Sequence, residues 1–500
     1  MNTSLEPGKT RPPRDRLALL VFAISFAAFV LFTDHLIAEV RWPTGDEPYY
    51  LLMAHSLIHD HDLELSNNFA SSDYYHYYPG DLFPRHESVT TRPGLWSKHA
   101  PGVAVLVAPG YAWLDWRGAA LTINLLAALL AANIYLLGSE ASGRRWVGVF
   151  TWLALSFTNP LASYAPLIFP AIPAALFTVY AYRQIRGGLA HAAAWRTALT
   201  ALCIGALPWL NPQLIPVAAG LFLYALGSVR PHGQPAAGGE RLTARLARWF
   251  HAWHPTGHGM VGSLAPFLGP LVALGAAYLS YNYFLYESIL PNWQDHAGSS
   301  DLAGTFVGLV GILLDQQWGL LIHAPLLLLG LSGLLVMARR HRRELAWLAV
   351  IGLPYFLLII NYKQWWGEWC PPARYLAPLI PLLALPMARA IGALRRWPFL
   401  IVYAALATIS WGIMGAFAAT PSLMYNHPVG RSNLLLWLAA HDGPDLTTLA
   451  PTFFVPSEMG RTVALTAVWS VAVATIVWWG YRSATSNPAP EPPSSDGERQ

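Results

Sequence analysis

Two adjacent carboxylates, Asp46 and Glu47, stand a few residues beyond the first long apolar stretch, bracketed by Gly45 and Pro48. A carboxylate within hydrogen-bond reach of a hydroxyl can take its proton. Pro48 suits the first turn of a helix, where its missing N–H costs nothing. The pattern therefore predicts a helix over 49–58 with Asp46 near its N-cap. Tyr50, Met53, Ala54 and Leu57 fall on one face, so this helix can lie in a membrane interface. The plain alternative for the acids is an N-cap with an acidic first turn, which a helix dipole favours by about 0.3–1 kcal/mol per group.

Other side chains in the same outer segment carry chemistry. The stretch HSLIHDH (55–61) puts His55 and His59 four apart, on one helix face, but the HExxH zinc pattern is absent and no cysteine is close. Lys98 and His99 precede a second apolar segment, GVAVLVAPGYAWLDW (102–116). Far along the chain, Lys363 comes before Trp365, Trp366 and Trp369, which flank Glu368, and Arg374 follows Pro371-Pro372. Cations at such places bind anions or snorkel to lipid headgroups, and tryptophans there belong to an interfacial belt or stack on a ligand. Asp315, Gln316 and His323 are further polar groups in apolar surroundings; an intramembrane histidine serves function or bonds a backbone carbonyl.

Elements that could position these groups follow from composition. The chain has 500 residues, 54% hydrophobic and 12% charged, with 22 Trp and a mean hydropathy of +0.37. Soluble domains carry about 25% charged residues. An ordinary soluble enzyme, a disordered chain and a nucleic-acid binder are excluded. A spanning helix needs about 20 apolar residues, and the sequence predicts twelve spans. They lie near 17–38, 118–138, 146–160, 165–181, 195–211, 212–229, 262–285, 318–337, 345–362, 375–391, 398–418 and 462–481. The first, behind Lys9, Arg11, Arg14 and Arg16, is read as a retained anchor with a cytoplasmic N-terminus over 1–16.

The charges orient this topology. Arg41, Arg85, Arg92, Lys98, Arg117, Lys363, Arg374, Arg431 and Arg461 fall outside, and the remaining 22 of 31 Lys and Arg fall inside. The net charge of +4 is thus a topology signal. Counting 102–116 or 304–317 as spans breaks the alternation, so both are expected as helices in the outer interface. The core is expected over 17–418, with the acidic outer loop at 39–117. Outer loop 419–461, a last span at 462–481 and a disordered tail at 482–500 complete the chain. Residues 241–250, within a cytoplasmic loop, form a basic amphipathic piece. Cys203 and Cys370 are too few for a disulfide framework.

The segment GDEPYYLL…SLIHDHDLEL, an acidic pair just past the first span followed by an interfacial helix, resembles the GT-C superfamily of membrane glycosyltransferases. Within it the chain is most similar to the bacterial branch of protein mannosyltransferases and the lipid A aminoarabinose transferase. SKHAPGVAVLVAPGYAWL (97–114) looks like that family's second interfacial helix. LLDQQWGLLIHAPLLLLGLSGLL (313–335) and YKQWWGEWCPPARYLAPLIPLLALP (362–386) add to the likeness, which covers roughly 17–390 and leaves 419–461 unmatched. The resemblance implies an all-α, GT-C-like polytopic fold and transfer of a sugar from a polyprenyl-phosphate carrier on the outer face of the cytoplasmic membrane. The acceptor would be a lipid, glycan or protein.

The resemblance implies that the acid after the first span activates the acceptor, so Asp46 is the expected base and Glu47 its orienting partner, or a ligand for metal or acceptor. The transition state resembles an oxocarbenium ion, and the leaving phosphate needs cations. Lys98, Arg374 and, more weakly, Lys363 are the candidates. His55, His99, Tyr164, Trp366 and Glu368 are expected to line the substrate site. Many members carry a second acid near the start of the fourth span. Here TNPLASYAPLIFPAIPAALF (158–177) has none, which points to a site that works with Arg and Lys; no cofactor is required, although a divalent metal remains compatible. The competing readings are a secondary transporter, against which stand the missing internal repeat and the outer placement of charge, and a non-catalytic lipid-binding membrane protein.

Overall fold

The computed structural model describes residues 15–84, 90–189, 192–228, 260–290, 301–393 and 397–485. Lys9, Arg11, Arg14, Arg85, the basic piece 241–250, Arg395, Arg396 and the tail beyond 485 lie outside the described residues. Among the described residues the regular structure is helical, and one isolated bridge joins Glu64 and Trp96. The helices are α1 (Arg16–Val40), α2 (Glu47–His59), α3 (Gly102–Ser142), α4 (Arg145–Ser156), α5 (Ala171–Gly187), α6 (Ala194–Leu210), α7 (Ile215–Ser228), α8 (Met260–Tyr286), α9 (Leu302–Leu314), α10 (Leu328–Arg340), α11 (Arg342–Ile360), α12 (Ala384–Ala393), α13 (Trp397–Ala419), α14 (Asn433–Ala440) and α15 (Met459–Thr485), with single turns between them.

Five of these, α1, α3, α11, α13 and α15, are long and apolar enough to cross a membrane by length and composition. Several expected spans are instead interrupted. The helix expected at 146–160 ends at Ser156, and the next begins only at Ala171, after Pro170. The stretch 318–337 divides into a turn at Leu320–His323, a 3-10 turn at Pro325–Leu327 and α10. The stretch 375–391 opens with 3-10 turns and becomes α-helical at Ala384. Proline explains these breaks: Pro325, Pro378 and Pro381 lack the N–H a continuous helix needs and clash with the preceding turn.

Helix α3 is the central column, packed against α1, α2, α4, α5 and α12. Residues 102–113 form a helical limb of their own, separate from the one that follows, as the sequence predicts for 102–116. The limbs meet at a kink where Leu114 (φ −135°, ψ 22°) and Asp115 (φ 55°, ψ −143°) leave helical geometry. Gly110 and Gly118 face each other across it, and a Cβ on Gly118 would lie 1.9 Å from the Gly110 carbonyl oxygen. Asn124 ties the column to its surroundings, donating to Thr33 Oγ1 (2.9 Å) and the Ala165 carbonyl (2.8 Å).

Helix α2 is packed into the protein along its first half. Tyr49, Tyr50, Leu51, Leu52, Met53 and Ala54 are all buried, so its first half is enclosed by protein on every face. At the opposite pole, Arg186 and Arg389 both donate to Glu344, and Arg183 grips Glu140 with two nitrogens. Cys203 and Cys370 are free and buried.

Candidate active site

The turn into α2 is made by Gly45 at φ 58°, and a Cβ there would meet the Trp369 carbonyl oxygen at 3.0 Å and the Phe169 ring at 3.3 Å. Glycine is needed both for the left-handed backbone and for the close approach. Asp46 takes the N-cap position, as expected, but its side chain makes no capping bond. Its Oδ2 accepts instead from Arg374 Nη2 in an ion pair, while Oδ1 lies 3.9 Å from His99 Nε2. Both partners are largely buried.

Arg374 is held from several sides. Its guanidinium sits 4.5 Å above the Phe169 ring. Glu368 and Ala373, both with positive φ, and Gly367 at φ 83° shape the loop that carries it. The Ala373 N–H donates to the Trp318 carbonyl (3.1 Å). Burial is the largest single influence and opposes its charge, but the Asp46 carboxylate together with Tyr375, Cys370 and Tyr164 raises the pKa well above the ordinary arginine value.

Glu47 faces the other way and is almost fully buried. Its Oε2 accepts from the Thr44 N–H (2.8 Å) and hydroxyl (3.2 Å), and its Oε1 accepts from the Ile168 N–H (2.8 Å). The Oε2 bonds tie the first helical residue back to Thr44, two residues before the N-cap. The Ile168 bond is long-range and sets Phe169, next in sequence, under Arg374. The contacts close a ring through Asp46, Arg374, Phe169, Ile168 and Glu47. Burial, against these bonds, pushes the Glu47 carboxyl up to about 7.

The remaining expected residues divide into those beside this ring and those away from it. His99 joins it, its ring 5.0 Å from that of Tyr50. Lys98 is half-buried beside His99 and has no ion-pair partner among the described residues. Lys363 is exposed. Glu368 is exposed and accepts from Gln364 Nε2. Trp366 is packed into an aromatic cluster with Trp318, Trp365 and Phe454. Tyr164 is fully buried and donates to the Pro371 carbonyl (2.8 Å), its ring edge-on to Phe169; it supports the Arg374 loop from behind. His55 lies on another face of α2, in a cluster with Tyr111 and His76. His323 bonds the Gly319 carbonyl (2.9 Å). No group of three His, Cys, Asp or Glu is placed to hold a metal ion among the described residues.

The sequence did not reveal how the site is roofed. Asp315, Gln316 and Gln317 are fully buried and clamp the last outer loop. Gln316 Nε2 donates to the Thr447 and Ala450 carbonyls, and Gln317 Nε2 to those of His427 and Arg431. Asp315 Oδ2 accepts from the Phe453 N–H (3.1 Å). Trp369 then stacks on His427 at 5.5 Å. Three consecutive polar residues after an apolar helix were the available signal. Burial, with three backbone N–H bonds opposing it, pushes Asp315 up to about 7.

No family model matches the sequence, and no curated protein does. Among solved structures, the chain is similar to ArnT from Cupriavidus metallidurans in the apo state (17% identity, TM-score 0.48), covering 94% of this chain and 76% of that one. ArnT bound to undecaprenyl phosphate gives 15% and 0.43, with coverage of 94% and 74%. The oligosaccharyltransferase AglB from Archaeoglobus fulgidus, in complex with an inhibitory peptide and a dolichol-phosphate, gives 14% and 0.42, covering 86% of this chain. The chain spans 58% of the length of that oligosaccharyltransferase.

Proposed function

We propose that this chain is a polytopic GT-C-type glycosyltransferase that moves a sugar from a polyprenyl-phosphate carrier to a lipid, glycan or protein acceptor. It would work on the outer face of the cytoplasmic membrane, within a topology of twelve crossings, some made by the proline-broken helices. The observation that carries the reading is the buried Asp46–Arg374 pair at the start of α2. It brings together one acid and one cation held by loops from distant parts of the chain, which supports a shared site for an acceptor hydroxyl and a phosphate.

The chemistry follows from the pair. An arriving phosphate offers Arg374 a bidentate partner and takes the guanidinium from Asp46. The released carboxylate then accepts the proton of the attacking hydroxyl. The new glycosidic bond forms at the anomeric carbon as the bond to the phosphate oxygen breaks, with the electron pair leaving on the phosphate. A single displacement of this kind inverts the anomeric centre. Lys98 adds positive charge beside His99, and Glu47 fixes the turn that presents Asp46. A small recess beside Arg374, walled by Pro170, Ala171, Asn211, Tyr355, Tyr375 and Pro378, gives the guanidinium a mixed polar and apolar border. Arg374 and Lys98 supply the charge, so no metal is needed.

Release of polyprenyl phosphate from a polyprenyl-phosphate sugar, by protein reconstituted in vesicles with extracted envelope glycolipids as acceptors, tests the reading. Release that survives Asp46→Asn sinks it. A non-catalytic lipid-binding role is the second reading, and the ion pair favours it to the extent that Asp46 is already neutralised. Carrier binding without any turnover would select it.

A further inference from the structure

We propose that the cavity between the end of α2 and the kink of α3 is a saccharide-binding site separate from the Asp46–Arg374 pair. His55 lies nine residues beyond Asp46, which is about 13 Å along a helix and half a turn round it. There the protein forms an open recess of about 450 Å³, lined by His55, His59, His76, Tyr111, Trp113 and Asp115 and by three apolar side chains. That size falls within the range of roughly 300–1,000 Å³ typical of small-ligand sites. The reading does not depend on transferase chemistry.

The floor of the cavity is a continuous polar network. The Tyr111 hydroxyl lies 3.0 Å from His55 Nδ1 and 3.1 Å from His76 Nε2. His76 Nε2 is also 3.2 Å from Asp115 Oδ1, and His55 Nε2 is 3.8 Å from Asp73. Burial and the neighbouring His59, whose ring is 4.3 Å away, hold His55 below the usual histidine value. A neutral imidazole both donates and accepts. The set therefore offers donors, acceptors and a carboxylate in one place, as the hydroxyls of a sugar ring require. At the rim, Trp113 is 81% exposed and presents a flat indole face to which the apolar side of such a ring can stack.

The backbone is bent to make this site. Asp115 holds φ 55° and ψ −143°, a conformation strained for any residue with a Cβ and characteristic of functional positions. The bend turns its carboxylate toward His76 and puts Trp113 at the mouth. Two other ligand classes fit less well. The half-exposed Asp115 carboxylate at the mouth repels a phosphate. No group of three His, Cys, Asp or Glu among the described residues is placed to hold a metal ion there.

The test is saturation-transfer NMR on the full chain in nanodiscs, with the methyl glycosides of mannose, glucose, galactose and N-acetylglucosamine as probes. At least one glycoside should show transfer. W113A, an exposed substitution that leaves the fold intact, and D115G should each cut the signal by about fivefold, the worth of one stacking or charged contact. D46N should leave it unchanged, which separates this site from the proposed reacting centre. Absence of transfer from every glycoside, or transfer indifferent to W113A and D115G, overturns the assignment. Saturable zinc binding that is lost in H76A also overturns it, in favour of a metal.

Discussion

Asp46 occupies the N-cap of α2 without capping it; its carboxylate reaches Arg374, 328 residues further along the chain. A cap is a local device, and this acid has given up the local bond for a distant one. Removing the charge at Asp46 should therefore damage chemistry more than folding. For Asp46→Asn, transfer should fall by about 10²–10⁴-fold, the range for losing a general base. Carrier binding should stay near wild type by carrier titration, while a thermal shift on the same preparation should show a moderate loss, because the buried Arg374 guanidinium loses its counter-charge but keeps an amide oxygen to bond.

Arg374→Ala strands the Asp46 carboxylate in a largely buried place. Breaking such a pair from one side costs about 3–5 kcal/mol. Unfolding measurements should register that loss, and the double variant with Asp46→Asn should recover most of it. Arg374→Lys should keep the fold yet bind carrier less well, because an ammonium cannot grip phosphate with two parallel bonds. If the alanine variant is as stable as wild type, the pair is a loose surface contact after all.

Glu47 makes stability depend on pH with a definite sign. Its carboxyl is raised from 4.5 to about 7 in the folded protein, so the folded state holds the proton more tightly than the unfolded chain. That contribution is full below pH 4.5 and is lost as pH rises through 7. At 1.36 kcal/mol per unit it amounts to roughly 3 kcal/mol. Melting temperatures of wild type and Glu47→Gln taken at pH 5 and 7.5 should show the wild type losing more on the way up. Parallel profiles would mean that the carboxyl titrates normally.

Gln317→Ala should loosen the roof over the site. It removes the amide that accepts from the Gly430 N–H and donates to the His427 and Arg431 carbonyls. Hydrogen exchange across 426–455 should quicken while that of α3 is unchanged. Because His427 stacks on Trp369, beside the turn that carries Asp46, transfer should weaken too. Unaltered exchange would show that the loop is held by other contacts.

The parts of the site written in local pattern were readable from sequence. Gly45-Asp46-Glu47-Pro48 announced a turn and a helix start, and Arg374 after a proline pair announced a placed cation. Their pairing was not readable, because it depends on how loops far apart in sequence dock. Glu47 looked like a second functional acid, yet its two oxygens are spent on backbone N–H groups; nothing in the sequence marks Ile168 as the donor. The long apolar stretches at 318–337 and 375–391 were smoothed into single spans by hydropathy averaging. Pro325, Pro378 and Pro381 were visible there, and their backbone consequences decided the outcome. Tyr50 and its neighbours on α2 looked amphipathic, but that face gives no warning that Leu51 and Leu52 opposite would also be covered.

The ring that joins Asp46 to Arg374 has a consequence for how the protein is made. A ribosome releases Asp46 early, when its partner is still hundreds of codons from synthesis, and the Gln317 clamp needs backbone that comes later still. The carboxylate must wait, hydrated, at the membrane surface until nearly the whole chain has been inserted. The site is thus the last thing to assemble around one of the first residues to emerge. A chain cut short before Arg374 would carry the acid, the turn and the first helix, and still have no pair.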